Sequence, residues 1–257
     1  MIKTLIILAG GKSTRMGKIG DFVPKSLLPI CDTSLLIKQI NQAIEAKINN
    51  IYISTHPRFE EIIKKCTSYI SGVEVFSNNS HDISSYSALA SVIDNFQFKE
   101  SILISLADIY FITNPFVFVT TIKENSSSLF VSKPYCISEL EKGGIVFTEK
   151  DMATRIFAPS FPGNKKGFRW SGLVSLNIDD QNLLKSYSKE KKKEFPEEDF
   201  FSYLIGINRN VSVSETSDFI NNNSAKEIII SSLYELLSRC SDKGKKQIQQ
   251  TIKFLRK

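Results

Sequence analysis

Near its start the chain carries Leu5-Ile6-Ile7-Leu8-Ala9, an unbroken apolar run that stops on Gly10-Gly11-Lys12. A strand that is apolar on both pleat faces must be covered on both sides, which is the condition of an inner strand in a parallel sheet. The run is too short for a secretory h-region and has no A-x-A site after it. Ile2–Leu8 is therefore predicted as a buried strand, with the glycine pair turning the chain off its carboxyl end.

Helical and extended patterns alternate from Ser34 onward. Leu36, Ile40, Ala43 and Ile44 form one helical stripe between Ser34 and Lys47, and Ile51–Ser54 reads as the next strand. A second helix runs from about Phe59 to Ile70, and Val73–Phe76 is a third strand. Ala88, Val92 and Ile93 line a third helix before the strand Ser101–Leu106. Such alternation predicts an α/β fold with a doubly wound, mostly parallel (Rossmann-like) sheet, whose ligands bind beyond the carboxyl ends of the strands. The second half is less regular, with strands near Leu129–Ser132, Gly144–Phe147 and Gly172–Leu176 and a helix from about Glu198 to Ile207. It is read as an acceptor-binding lobe on the same sheet. The expected organisation is a domain over residues 1–240, with a nucleotide-binding half to about 125 and an acceptor-binding half with a closing helix from about 126. Residues 241–257 form a basic C-terminal helix.

Charge narrows the partners. The formal net charge is +6, but residues 241–257 hold six basic side chains against Asp242 alone, so the body is nearly neutral. That distribution gives no duplex-wide basic footprint and excludes nucleic acid as a partner. Cys31, Cys66, Cys136 and Cys240 lie far apart without a CxxC pair, and His56 and His81 are the two histidines, so no zinc cluster or redox dithiol is read. Without an apolar span of about eighteen residues, no membrane crossing is expected and the predicted location is cytoplasmic. Homo-oligomer formation is left open.

The loop Leu8-Ala9-Gly10-Gly11-Lys12-Ser13-Thr14-Arg15-Met16-Gly17, with Pro24-Lys25-Ser26-Leu27-Leu28-Pro29 after it, carries the chemistry. Adjacent glycines let main-chain N–H groups approach an anion, Ser13 and Thr14 add hydroxyl donors, and Arg15 supplies a permanently charged fork for phosphate oxygens. Lys25 can close over the same anion. A Walker P-loop is excluded, since Ile6 stands where its first glycine is required, and the offsets of a dinucleotide G-x-G-x-x-G are not met.

This loop, with its ten residues from Arg15 to Lys25, resembles the signature of the sugar-phosphate nucleotidylyltransferases, the NTP-transferase family. Further stretches fall in that family's order. Ser84-Ser85-Tyr86-Ser87-Ala88-Leu89 resembles its base-contacting helix start, Leu106-Ala107-Asp108 its metal-binding G-D, and Trp170-Ser171-Gly172-Leu173-Val174 its A-G-I-Y strand. Thr216-Ser217-Asp218 with Asn222–Glu227 resembles its W-x-D-x-x-T-P-E-D segment.

The resemblance implies transfer of NMP from an NTP to a sugar phosphate or other small phosphomonoester, with release of pyrophosphate and with Mg²⁺ as cofactor. Arg15 and Lys25 are then the catalytic charges. Leu8, Ala9, Gly10, Gly11, Lys12, Ser13, Thr14, Ser85 and Ala88 bind nucleotide, and Asp108 and Asp218 hold the metal. Gly144, Trp170 and Gly172 meet the acceptor. The E-K-P of the hexose-1-phosphate enzymes is replaced by Phe157-Ala158-Pro159, with Lys165 and Lys166 as substitutes for its lysine. That change raises one alternative, a cytidylyltransferase for a non-hexose, phosphocholine-like acceptor; the molybdenum-cofactor guanylyltransferases, which share L-A-G-G-x-S-x-R-M-G but have a shorter chain and a lysine much closer to the arginine, rank third, and a non-catalytic regulatory member of the fold is the alternative from a different class. The expected setting is activation of a metabolite for surface-polysaccharide or similar synthesis.

Overall fold

A computed structural model describes residues 2–11, 20–121, 126–133, 144–157, 167–191, 197–237 and 239–256. The first half builds β1 (Thr4–Leu8), the hairpin β2 (Pro29–Ile30) and β3 (Thr33–Ser34), α1 (Leu35–Glu45), β4 (Asn50–Thr55), α2 (Glu60–Thr67), β5 (Val73–Ser77), α3 (Ser85–Phe96), β6 (Ile102–Leu106) and β7 (Ile109–Phe111). The second half adds β8 (Ser127–Ser132), β9 (Ile145–Glu149), β10 (Met152–Phe157), β11 (Phe168–Leu176), α4 (Ile178–Glu190), α5 (Glu197–Gly206), β12 (Val211–Glu215), β13 (Phe219–Asn221), α6 (Ala225–Leu237) and α7 (Asp242–Leu255).

The main sheet runs β5-β4-β1-β6-β11-β8-β12-β10-β9. From β5 to β6 every pair is parallel, whereas β11 enters antiparallel to both β6 and β8. The chain leaves β1 toward β4 and β5 and returns to β6 on the opposite flank of β1. The topological switch point, where an open α/β sheet leaves a crevice for ligands, thus lies at the carboxyl ends of β1 and β6.

Alternation along β1 explains its sequence. Ile6 and Leu8 join the core on one face with Leu89, Val92 and Ile93 of α3, while Leu5 and Ile7 join the other with Leu36, Ile40 and Ala43 of α1. Each such side chain, fully withdrawn from water, contributes roughly 1.5–3 kcal/mol. Capping fixes where the helices start: Ser34 Oγ accepts from Ile37 N, Ser84 Oγ from Ser87 N and Asn177 Oδ1 from Asp180 N. Pro57 holds the chain in a short 3-10 turn before α2, so that helix begins later than its apolar stripe suggests. Four elements without a clear periodic signal, β10, α4, β12 and β13, complete the second half.

The basic tail is part of this packing. Ile252 of α7 is buried, and Ile248 and Leu255 pack with it against Ile30, Tyr110, Ile220 and Ile230. Its lysines occupy the outer face of that amphipathic helix. No described helix is long and apolar enough to cross a membrane.

Candidate active site

Two loops meet at the switch point. Ala9 N donates to Ser54 O at 2.7 Å, and Ala107 N donates to Leu8 O at 3.1 Å, so the turn leaving β1 and the turn leaving β6 lie side by side. Leu8 and Ala9 are buried beneath the crevice. The two glycines differ in what they face. A Cβ on Gly11 would meet nothing within 4 Å, so a side chain there would stand in open space. A Cβ on Gly10 would lie 2.2 Å from the His81 ring, so glycine is required there by a packed imidazole. Lys12, Ser13, Thr14 and Arg15 lie outside the described residues, as do Lys165 and Lys166.

Lys25 opens a short 3-10 turn after Pro24. Its Nζ donates to Asp108 Oδ2 at 2.8 Å and to Asn223 Oδ1 at 2.8 Å, closing an arrangement from residues 83 and 198 positions away. Two side chains hold Asp108 in place. Buried Gln39 of α1 donates to Leu106 O at 3.0 Å and to Ile109 O at 2.8 Å, bracketing the turn, and accepts from Ser105 Oγ. Asn222, fully buried, gives both its main-chain N–H and its Nδ2 to Asp108 O at 3.0 and 3.1 Å, while its Oδ1 accepts from Ser231.

Register separates the two acids predicted as metal ligands. The ribbon of β7 and β13 pairs Phe219 with Phe111 and Asn221 with Ile109, which sets Asn222 and Asn223 beside Asp108. Asp218 sits opposite Ile112, accepting its N–H at 2.9 Å, at the far end of the ribbon. Four residues of extended chain, about 13 Å at roughly 3.3 Å each, separate it from Asn222. Asp218 is therefore not gathered with Asp108, whereas Asn223 meets it through Lys25. Burial raises the Asp218 carboxyl, against the opposing charge of Arg256.

The donors fit a divalent cation. One carboxylate and one amide carbonyl converge on the point where the Lys25 ammonium now stands, and hard oxygen donors with few protein ligands are what Mg²⁺ takes when substrate phosphates complete its shell. Among the described residues no group of three His, Cys, Asp or Glu forms a metal cluster.

On the other flank, Ser84 is the α3 cap and Ser85 Oγ donates to Glu197 at the start of α5. Ala88 is fully buried in α3 and offers its side chain to the core, not to a base. Gly144 is walled by two groups: a Cβ there would lie 2.9 Å from Glu198 Oε1 and 3.0 Å from Trp170 Cε3. Trp170 is 5% exposed, edge-on to Phe201 with its indole N–H donated to Leu173 O, so its ring is a core element and not an open stacking surface. Gly172, at φ +72°, lies in the β11 irregularity, where Leu106 and Ile109 press against it. Burial pushes the Glu198 carboxyl up to about 7, helped by neighbouring Glu197 and Asp199.

Sequence reasoning assigns no site role to Gln39, His81, Glu197, Glu198, Asn222 or Asn223. A glutamine inside the apolar stripe of α1 and the Asn221-Asn222-Asn223 break before α6 are the signals that could have found two of these elements.

Comparison with known proteins finds similarity in sequence and in fold. Residues 5–120 match the family of MobA-like NTP transferase domains. A segment of 64 residues, 25% of this chain, is 34% identical to the bifunctional IPC transferase and DIPP synthase of Aquifex aeolicus and covers 15% of it. Another of 52 residues, 20% of this chain, is 40% identical to the adenosylcobinamide-phosphate guanylyltransferase of Methanocaldococcus jannaschii and covers 24% of it. The matches thus span a quarter or less of these relatives. Among solved structures, the inositol-1-phosphate CTP transferase from T. maritima superposes with a TM-score of 0.78 at 16% identity, over 93% of this chain and 96% of that one. A UDP-glucose pyrophosphorylase complexed with UDP-glucose gives 0.75 at 17%, over 93% and 100%. Over residues 5–120 the chain resembles a MobA-like NTP transferase domain, and as a whole it shares the fold of these two solved structures.

Proposed function

We propose that the protein is a Mg²⁺-dependent nucleotidylyltransferase that transfers NMP from an NTP to a sugar phosphate or another small phosphomonoester. The observation that carries this reading is the convergence of Lys25, Asp108 and Asn223 at 2.8 Å contacts at the switch point of a parallel sheet, where the turns leaving β1 and β6 lie side by side. The similarity to IPC transferase, guanylyltransferase and pyrophosphorylase proteins supports it.

In this reaction a phosphate oxygen of the acceptor forms a bond to the α-phosphorus, and the bond from that phosphorus to the bridging oxygen breaks, its electron pair leaving with pyrophosphate. A phosphomonoester is anionic at neutral pH, so the attacking group needs no base. Positioning and charge neutralisation supply the catalysis. The Lys25 ammonium would meet the triphosphate charge once ligand displaces it from Asp108 and Asn223, and Arg15 would add a second cation. Asp108 and Asn223 would hold the Mg²⁺, which supplies Lewis-acid neutralisation of phosphate oxygens. Gln39 and Asn222 keep the Asp108 turn from yielding. The product would be an activated metabolite for surface-polysaccharide or similar synthesis.

Pyrophosphate release tests the proposal, with ATP, CTP, GTP, UTP and dTTP each paired with glucose 1-phosphate, inositol 1-phosphate and phosphocholine in Mg²⁺. One productive NTP–acceptor pair is expected. Binding of an NTP without turnover across the panel would favour a non-catalytic member of the fold, and no NTP binding would remove the reading altogether.

A further inference from the structure

His81 is 7% exposed, belongs to the connection between β5 and α3, and has no role in the transfer chemistry above. Its surroundings tie it to the nucleotide loop. Ser54, at the end of β4, accepts the Ala9 N–H on its carbonyl at 2.7 Å and meets His81 Nε2 through its hydroxyl at 2.9 Å. Asn78 adds its Nδ2 to the same hydroxyl at 3.3 Å, and its Oδ1 caps the 3-10 turn that carries His81. The imidazole then fills the volume that a side chain at position 10 would need.

We infer that His81 is a positioning residue for nucleotide binding: its ring is the floor on which Ala9-Gly10-Gly11 lies, and it sets the height of that main chain against the triphosphate. This inference rests on the nucleotidylyltransferase reading and explains why the first glycine of the pair is needed, although a Cβ on the second would meet nothing. Burial, with the nearby His56 as a lesser cause, lowers the imidazole to about 4 despite Asp82, so the floor is neutral at physiological pH. A neutral ring can support an anion-binding turn without competing for its phosphate as a counter-charge.

The test is compensation. Gly10→Ala, His81→Ala, their combination and His81→Asn are compared by calorimetric titration with each of ATP, CTP, GTP and UTP, by kcat at saturating NTP, and by Tm. Gly10→Ala is expected to weaken NTP binding by about 10- to 100-fold, because displacements of about 1 Å in a positioning element have effects of that size. Adding His81→Ala should recover most of that loss by removing the clash. His81→Ala alone should raise Kd by about tenfold and leave kcat within about threefold, the pattern of lost binding without lost chemistry. If His81→Ala does not fold, His81→Asn keeps a nitrogen toward Ser54 and is expected to show a smaller rise in Kd. A double variant no better than Gly10→Ala, or His81 variants with wild-type Kd, would overturn the inference while leaving the reaction standing. Wild-type protein that binds none of these four nucleotides and no dTTP overturns both.

Discussion

Two ionisable side chains at this sheet edge live in opposite settings. His81, in the first half of the chain, is pressed against glycine main chain and held neutral, with its pKa lowered to about 4 chiefly by burial. Glu198, in the second half of the chain, is 6% exposed beside two other acids and is pushed up to about 7, again chiefly by burial. Asp108, by contrast, is only part-buried and has the Lys25 ammonium as partner. The difference teaches how each half keeps charge: the reaction edge exposes paired charges to the crevice, while the flanking positions suppress charge by withdrawing it from water.

Removing the paired acid should have the largest effect. Asp108→Ala is expected to lower kcat by about a thousandfold or more, since on the proposed reading its carboxylate would hold a metal at the reacting phosphate, a contribution of several kcal/mol. Retained Mg²⁺-dependent pyrophosphate release in that variant would sever the reaction edge from the proposed site.

The suppressed charges predict opposing pH slopes. For Glu198, both folded and unfolded states are protonated below about 4.5. As pH rises to about 7 the unfolded chain ionises while the folded one does not, so stability falls by at most about 3 kcal/mol, and Glu198→Gln should lose that fall. For His81 the sign reverses. Its contribution is complete above about 6.5 and is lost as pH drops toward about 4, because the unfolded chain takes up the proton first. Urea titrations of wild type and Glu198→Gln from pH 4 to 8 read both. A constant stability difference between the two proteins across that range would dismiss the Glu198 side of the contrast.

A smaller change sharpens the link between core and site. Gln39→Met leaves the Leu106 and Ile109 carbonyls and the Ser105 hydroxyl short of a partner. About 2 kcal/mol of destabilisation is expected, with a kcat loss beyond what Tm accounts for. An unchanged kcat in folded Gln39→Met would show that the Asp108 turn holds its own shape.

The parallel half is readable because its signals are local. The stripe Leu36, Ile40 and Ala43 names α1, the two-faced run Leu5–Leu8 names an inner strand, and the glycine pair marks the turn. Lys25 and Asp108 are visible as loop residues in the right order. Asp218 stands out over Asn223 in a sequence because a carboxylate is the more obvious ligand, while the pairing of Asn221 with Ile109 decides which residue stands beside Asp108. Trp170 looks like a stacking surface because composition does not show that Phe201 covers it. Mixed strands such as β10 and β12 escape because part-exposed strands at such positions lack a continuous apolar run.

By itself, then, the sequence determined an alternating βα half, a glycine turn and a set of charged residues able to handle phosphate. The tertiary structure alone decided that Lys25 reaches Asn223 across 198 positions, that His81 fills the space above Gly10, and that Glu198 is stripped of water. Periodicity and turn chemistry act between residues a few positions apart, whereas register, packing and desolvation are set by whichever distant segment comes to lie alongside.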